Sequence, residues 1–192
     1  MKHWRLEQKE NSLALILDVA DRSANVLSSE VMHELEDALA EVKARREKGE
    51  TISGLMLVSG KAKGFIVGAD VTEFVDKVNV TIALDYVRRS QQVLDQLAAM
   101  PIPTVALIHG NCLGGGTELA LACDYRIASD EDSTRLGLPE VNLGIHPGFG
   151  GTVRAVQIAG VRPAMQLMLT GKPITVDKGR RIGLIDSITD AD

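Results

Sequence analysis

Asn111-Cys112-Leu113-Gly114-Gly115-Gly116-Thr117-Glu118-Leu119-Ala120 carries the pattern that decides how this chain folds. It follows the aliphatic run Val105 to Ile108, which reads as a strand, and it leads into Thr117 to Cys123, which reads as a short helix. Between them Gly110 to Gly116 reads as a loop. Consecutive glycines let backbone approach a ligand closely, and the amides at a helix start have no acceptor inside the helix. The segment is therefore a receptor for an anion or an oxyanion.

Gly68-Ala69-Asp70 has the same layout. The apolar run Ile52 to Ser59 reads as a buried strand, Lys61 to Val67 continues as a loop, and Asp70 with Glu73 forms a capping-box-like pair that starts a short helix just after Ala69. Amides at Ala69 and Gly115 aimed at one oxygen would stabilise an enolate or a tetrahedral oxyanion, and losing one such donor costs about 2.7–4 kcal/mol of barrier. Asp70 itself reads as a cap rather than a catalyst.

The remaining elements repeat this order. Trp4 to Gln8 and Leu13 to Val19 read as strands around the turn Glu10-Asn11-Ser12. Val31, Met32, Leu35, Leu39 and Val42 recur at helical spacing, with Ser28 or Ser29 as N-cap and Gly49 as the stop. Ile82, Tyr86, Val93, Leu94 and Leu97 mark a second long helix, ended by Pro101 and Pro103. Asp124 to Ala128 reads as a strand and Gly151 to Ile158 as a helix. Strands alternating with helices predict an α/β domain with a largely parallel sheet. There is no sequence repeat of 20–50 residues and no low-complexity linker, so the repetition is structural, a strand–loop–helix unit able to stack as a spiral.

Two carboxylates stand out near these loops. Glu118 lies in the first turn of its helix, where the dipole favours its charged form and a nearby oxyanion would oppose it. Glu140 sits in Leu138-Pro139-Glu140-Val141, between apolar neighbours, a setting that raises a carboxyl pKa toward general acid or base work. A pair of glutamates flanking one substrate can deliver and remove both protons of a hydration.

Composition excludes several other classes. A chain of 192 residues with 45% hydrophobic content buries one sizeable core, so a single domain over residues 1–192 is expected. Net charge is −5 with scattered basic residues, and aromatics are 3%, so nucleic acid finds neither a basic footprint nor a stacking platform. Met1 to Asn11 lacks the apolar core of a signal peptide, and no apolar run reaches the ~18 residues of a membrane span, so a soluble cytoplasmic protein is expected. Cys112 and Cys123 fit neither a disulfide framework nor a metal pair and read as buried thiols. His109 and His146 sit in loops without partners at ligand spacing and read as structural, so no metal is expected. There is no GxSxG elbow and no GxxxxGK loop. Gly148-Phe149-Gly150-Gly151 is not GxGxxG, and it reads as a turn that opens a helix and lines the site.

Taken together these segments resemble the enoyl-CoA hydratase/isomerase family, also called crotonases. Phe65-Ile66-Val67-Gly68-Ala69-Asp70-Val71-Thr72-Glu73-Phe74 is similar to its first oxyanion segment and Asn111 to Ala120 to its second. Leu136-Gly137-Leu138-Pro139-Glu140-Val141-Asn142-Leu143-Gly144-Ile145-His146-Pro147-Gly148-Phe149-Gly150-Gly151-Thr152 is similar to the block that holds its second glutamate. The blocks arrive in family order with family-like spacing over nearly the whole chain. The wording of the first and third is most similar to the hydratase regions of multifunctional members that act in fatty-acid β-oxidation and continue into an NAD-dependent 3-hydroxyacyl-CoA dehydrogenase.

The resemblance implies a spiral of repeated ββα units and hydration of a trans-2-enoyl-CoA to a 3-hydroxyacyl-CoA, with enoyl-CoA isomerisation or an inactive CoA-binding fragment as alternatives. It puts the oxyanion amides on Ala69 and Gly115 and the catalytic carboxylates on Glu118 and Glu140. Substrate contacts are implied along Ser23 to Leu27 and Lys61 to Val67, and at Ala24, Val26, Lys63, Phe65, Val67, Gly68, Gly114, Pro139 and Gly148. No cofactor is implied, because coenzyme A is part of the substrate. Relatives form trimers or pairs of trimers and carry helices beyond the position of Ile182 to Asp192 that cover the acyl pocket. The chain is accordingly expected to be a domain truncated at its C-terminus.

Overall fold

The computed structural model describes residues 1–70, 72–75 and 80–190; Val71 of the first oxyanion segment and Asp192 of the expected C-terminal cut lie outside them. The chain opens with an antiparallel hairpin, β1 (Trp4–Lys9) and β2 (Ser12–Leu17), as the two strand segments around the Glu10-Asn11-Ser12 turn predict. Helix α1 (Ser29–Glu47) follows. Ser28 is its N-cap, its side chain accepting the Val31 amide at 3.2 Å, while Arg45 and Arg46 lie in the last turn where the dipole favours cations. The five apolar positions of its stripe are all buried.

Three strand–strand–helix units come next. The first is β3 (Leu55–Ser59), β4 (Gly64–Ile66), the short helix α2 (Thr72–Val75) and the long helix α3 (Val80–Ala98). The second is β5 (Thr104–Ile108), β6 (Asn111–Leu113) and α4 (Gly115–Ala122). The third is β7 (Tyr125–Ser129), β8 (Arg135–Gly137), a 3-10 turn at Glu140–Leu143 and α5 (Gly151–Ala159). The chain continues through α6 (Val161–Thr170), β9 (Ile174–Thr175), α7 (Val176–Arg181) and β10 (Ser187–Thr189).

The first strand of each unit joins a six-stranded sheet in the order β1-β2-β3-β5-β7-β10, parallel throughout except for the opening hairpin. The second strand of each unit joins a four-stranded sheet, β4-β6-β8-β9, in which β4, β6 and β8 run parallel. Each unit thus places one strand in each sheet, which makes the spiral. The core fills the space between sheets and helices with aliphatic side chains, Phe65, Leu13, Leu15 and Leu57 among the most completely buried.

Several expectations need correction. Lys61 to Val67 and Gly110 to Gly116 are not plain loops: each contains a three-residue strand, β4 and β6, too short to show a period of two. The strand expected over Ile52 to Ser59 begins only at Leu55. Ile82 is 50% exposed, so the buried stripe of α3 is carried by Val93, Leu94 and Leu97 with Tyr86 half buried. The Asp70–Glu73 pair does not close reciprocally. Asp70 Oδ1 accepts from Thr72 N and Oγ1, but the Glu73 carboxylate reaches across to Ser29, accepting from its amide and hydroxyl at 3.0 and 2.7 Å. Glu73 therefore ties α2 to the start of α1.

Helix α4 packs so closely on β4 that a side chain at Gly116 would overlap the Ile66 carbonyl oxygen and come within 2.7 Å of Ile66 Cβ. Only glycine fits between this helix and this strand. Gly116→Ala should lower the free energy of unfolding by about 1–3 kcal/mol, the usual cost of overpacking a close contact. Urea denaturation at an unchanged m-value checks this, and an unmoved midpoint would mean that α4 does not lie against β4 as described.

Candidate active site

The pairing of the second sheet brings the sequence segments together. Ile66 pairs with Cys112, and Leu113 pairs with Gly137, so the chain leaves β4, β6 and β8 side by side at one edge. Gly68-Ala69, Gly114-Gly115 and Pro139-Glu140 all lie within three residues of those three strand ends. In a parallel sheet this carboxyl edge is where ligands bind.

Ala69 is held by a parallel bridge to Leu27, in which Leu27 N donates to Gly68 O and Asp70 N donates to Leu27 O, both at 2.9 Å. Neighbouring groups in extended backbone point to opposite sides, so the Ala69 N–H faces away from Leu27. Gly115 lies close by: a Cβ on it would lie 3.3 Å from Ala69 N. Gly115 is the first residue of α4, where its amide has no acceptor within the helix. Gly114, with φ +53° and ψ −127°, turns the chain from β6 into α4, a conformation that excludes most side chains. Its amide is anchored on Gly137 O at 2.9 Å, and a Cβ on it would lie 3.5 Å from the Gly68 α-carbon.

Both carboxylates close on the same place. Glu118 is 2% exposed, and its Oε1 accepts from Phe149 N at 2.7 Å and Gly151 N at 2.8 Å. Glu140 is 9% exposed; its Oε1 would lie 3.2 Å from a Cβ on Gly114, and its Oε2 is buried without a hydrogen-bond partner among the described residues. Burial pushes the Glu118 carboxyl up to about 7, with the two amides opposing the rise and the charge of Glu140 adding to it. Burial also raises Glu140, while His146 nearby acts in the opposite direction. The helix dipole at Glu118 does not prevail, contrary to the expectation from its first-turn position: removing a carboxylate from water costs several kcal/mol, against the ~0.3–1 kcal/mol of a dipole contact.

The other expected contacts divide by what the fold leaves accessible. Ala24 and Val26 are half buried on the segment that pairs with Val67–Asp70, while Lys63 and Val67 are exposed. Phe65 has its side chain in the core at 1% exposure, so only its backbone remains for a ligand. Pro139 and Gly148 are half buried beside Glu140 and Phe149. Asp70 is a cap, held ionised below the usual carboxylate range by the Thr72 hydroxyl first, with help from Arg22 at 2.8 Å. His109 bonds Lys61 O at 2.7 Å, and both cysteines are buried with their thiols pushed up to about 12.

Three features were not legible beforehand. Asn25, 1% exposed, accepts from Val19 N and donates to Leu17 O, Ser59 Oγ and Phe65 O, fixing the segment that supports Ala69. Tyr86 donates to Leu27 O at 2.6 Å and meets the Phe149 ring edge-on at 5.4 Å. His3, Glu30 and Glu34 bring potential metal-ligating atoms within 4.8 Å of one another. That last group is committed elsewhere: His3 Nδ1 accepts the Ala20 amide, which leaves its proton on Nε2 facing Glu30, and Glu34 accepts from the amides of Lys2, His3 and Trp4.

Strand–strand–helix units wound into a spiral, with two glycine-flanked amides and two buried carboxylates at one edge, define the crotonase fold. The chain belongs to the enoyl-CoA hydratase/isomerase family, whose model matches residues 8–192. The fatty acid oxidation complex subunit alpha of Vibrio parahaemolyticus is 40% identical over 187 residues, covering 97% of this chain and 26% of that protein. That of Vibrio cholerae El Tor Inaba is 43% identical over 173 residues, covering 90% and 24%. The solved enoyl-CoA hydratase of Bacillus anthracis superposes with a TM-score of 0.87 at 30% identity, covering 98% of this chain and 70% of that one. The chain spans about a quarter of the length of the curated relatives it matches. Among the described residues no helix is long and apolar enough to cross a membrane.

A carboxyl whose folded pKa is raised holds its proton more tightly in the native state, so stability is greatest below the unfolded pKa and is lost as pH rises through the folded one. For Glu118 that window runs from the ordinary 4.5 to about 7. Glu118→Gln keeps an oxygen for both amides and removes the titration. Between pH 5 and pH 8 the parent chain should lose on the order of 2–3 kcal/mol more than this variant, measured by urea denaturation at both pH values; parallel losses would contradict the buried setting of Glu118.

Proposed function

We propose that this chain binds a trans-2-enoyl-CoA thioester and adds water across its double bond, giving a 3-hydroxyacyl-CoA in fatty-acid β-oxidation. The observation that carries the reading is the approach of Gly115 to the Ala69 amide, 3.3 Å from a Cβ position, beside two buried carboxylates. The family and the names of the relatives support the same reading.

In this scheme the thioester oxygen rests on the Ala69 and Gly115 amides. A water oxygen forms a bond to the β-carbon while one of its protons passes to a carboxylate. The electron pair of the double bond moves through the α-carbon to the thioester oxygen as an enolate, then returns to take a proton from the other carboxyl. The carbon–sulfur bond stays intact. Each amide donor contributes about 2.7–4 kcal/mol at the enolate, and positioned acid–base groups contribute about 10²–10⁴-fold. The charge of Glu140 helps to raise the Glu118 carboxyl, and the reading assigns one of the two as base and its partner as acid. Coenzyme A arrives as the carrier of the substrate, and the scheme uses no other cofactor. Assembly into trimers or pairs of trimers belongs to the same reading, supported by the exposed apolar side chains Leu143, Ile145, Val161 and Leu169.

The same carboxylates suit proton transfer between the α and γ positions of a 3-enoyl-CoA, which is the isomerase branch of the family. Glu118→Gln and Glu140→Gln should each lower crotonyl-CoA hydration by at least about 10²-fold, followed by loss of the enoyl-thioester absorbance. Undiminished hydration in either variant sinks the assignment, and faster turnover of a 3-enoyl-CoA than of crotonyl-CoA moves it to isomerisation.

A further inference from the structure

Glu118 is held by two backbone amides, and something must hold those amides. The Phe149 N–H belongs to the peptide group joining residues 148 and 149, and the oxygen of that same group, Gly148 O, accepts from Gln91 Nε2 at 2.7 Å. Gln91 reaches it from α3, five residues beyond Tyr86 and outside the site. One turn further along the same face, Asp95 pairs with Arg154. Arg154 Nη1 in turn donates to Phe149 O at 3.0 Å. Two polar side chains of α3 thus pin consecutive peptide groups of the turn that clamps the carboxylate, one directly and one through Arg154.

We propose that Gln91 is a positioning residue for Glu118, acting through the 148–149 peptide group; this rests on the catalytic reading of Glu118 given above. A hydrogen bond to the carbonyl end of a peptide polarises its N–H end, so the bond from Gln91 strengthens the bond to Glu118 as well as fixing its direction. Gln91 itself is exposed, so it is replaceable without opening the core.

The groups facing Glu118 from each surrounding element are Glu140 on the 3-10 turn, Arg154 on α5 and Tyr86 on α3. None of these changes when Gln91 is replaced. Weakening the Phe149 donor withdraws a bond from the ionised carboxylate, so its titration moves upward.

The test uses the chain with glutamate labelled at its carboxyl carbon, the Glu118 resonance being identified by its loss in Glu118→Gln. Gln91→Met keeps the length and helix preference of the side chain and removes its donor. Its Glu118 midpoint should rise by about half a pH unit or more, whereas the exposed neighbour control Gln92→Met should stay within about 0.2. Gln91→Lys restores a donor and should bring the midpoint back to the parent value or below. In crotonyl-CoA hydration, Gln91→Met should lower kcat several-fold and leave KM within about twofold, the pattern of an interaction made in the transition state. An unmoved midpoint, or a loss carried wholly by KM, overturns the assignment. An inactive parent chain or a fully active Glu118→Gln counts instead against the hydratase reading, and the titration then decides the role of Gln91 by itself.

Discussion

Everything at the site hangs on the parallel pairing of three very short strands. β4, β6 and β8 are each three residues long, yet because they run the same way and lie next to one another, their ends deliver two glycine turns and a glutamate to one edge. Parallel strands need a crossover, and here each crossover threads through the larger sheet. The six-stranded sheet and its aliphatic core therefore supply the stability, and the small sheet sets the geometry. Asn25 joins the two, binding β2 through Leu17 O, β3 through Ser59 and β4 through Phe65 O.

Burial supplies the chemistry to this geometry. A carboxylate at a helix start in water would stay ionised at neutral pH. Glu118 is instead enclosed by the Phe149–Gly151 turn and the Glu140 segment, and desolvation outweighs both the dipole and two amide bonds. The same enclosure strengthens each polar contact inside it, because a low local dielectric screens them less. The fold thereby lifts both acidic side chains above their ordinary range, Glu118 to about 7.

What the sequence reveals about this arrangement depends on the range of the forces involved. α1 and β2 are legible because their burial is one-sided or continuous over many residues, so periodicity records it. Glycine runs at Gly68 and at Gly114–Gly116 are legible because backbone geometry leaves few substitutes. Glu118 and Glu140 stand out only through their position beside those runs. β4 and β6 are too brief to show a period, and they exist because each has a neighbour far away in the chain. Ile82 shows the converse error: it keeps helical spacing with Val93 and Leu97 but turns outward. The links from Gln91 to Gly148 and from Tyr86 to Leu27 join segments more than fifty residues apart, and nothing local foreshadows either.

The brevity of the small sheet bears on how such a chain can change over time. Between Gly64 and Ile66 the pairing with β6 already shifts register once, and three residues leave no room for a second shift. Replacing side chains around the edge alters what the cleft accepts. Inserting or deleting one residue before Ala69 would instead rotate its amide to the opposite side of the strand. Descendants of this fold are thus free to diversify by substitution around the site, while the number of residues between Gly64 and Ala69 stays fixed.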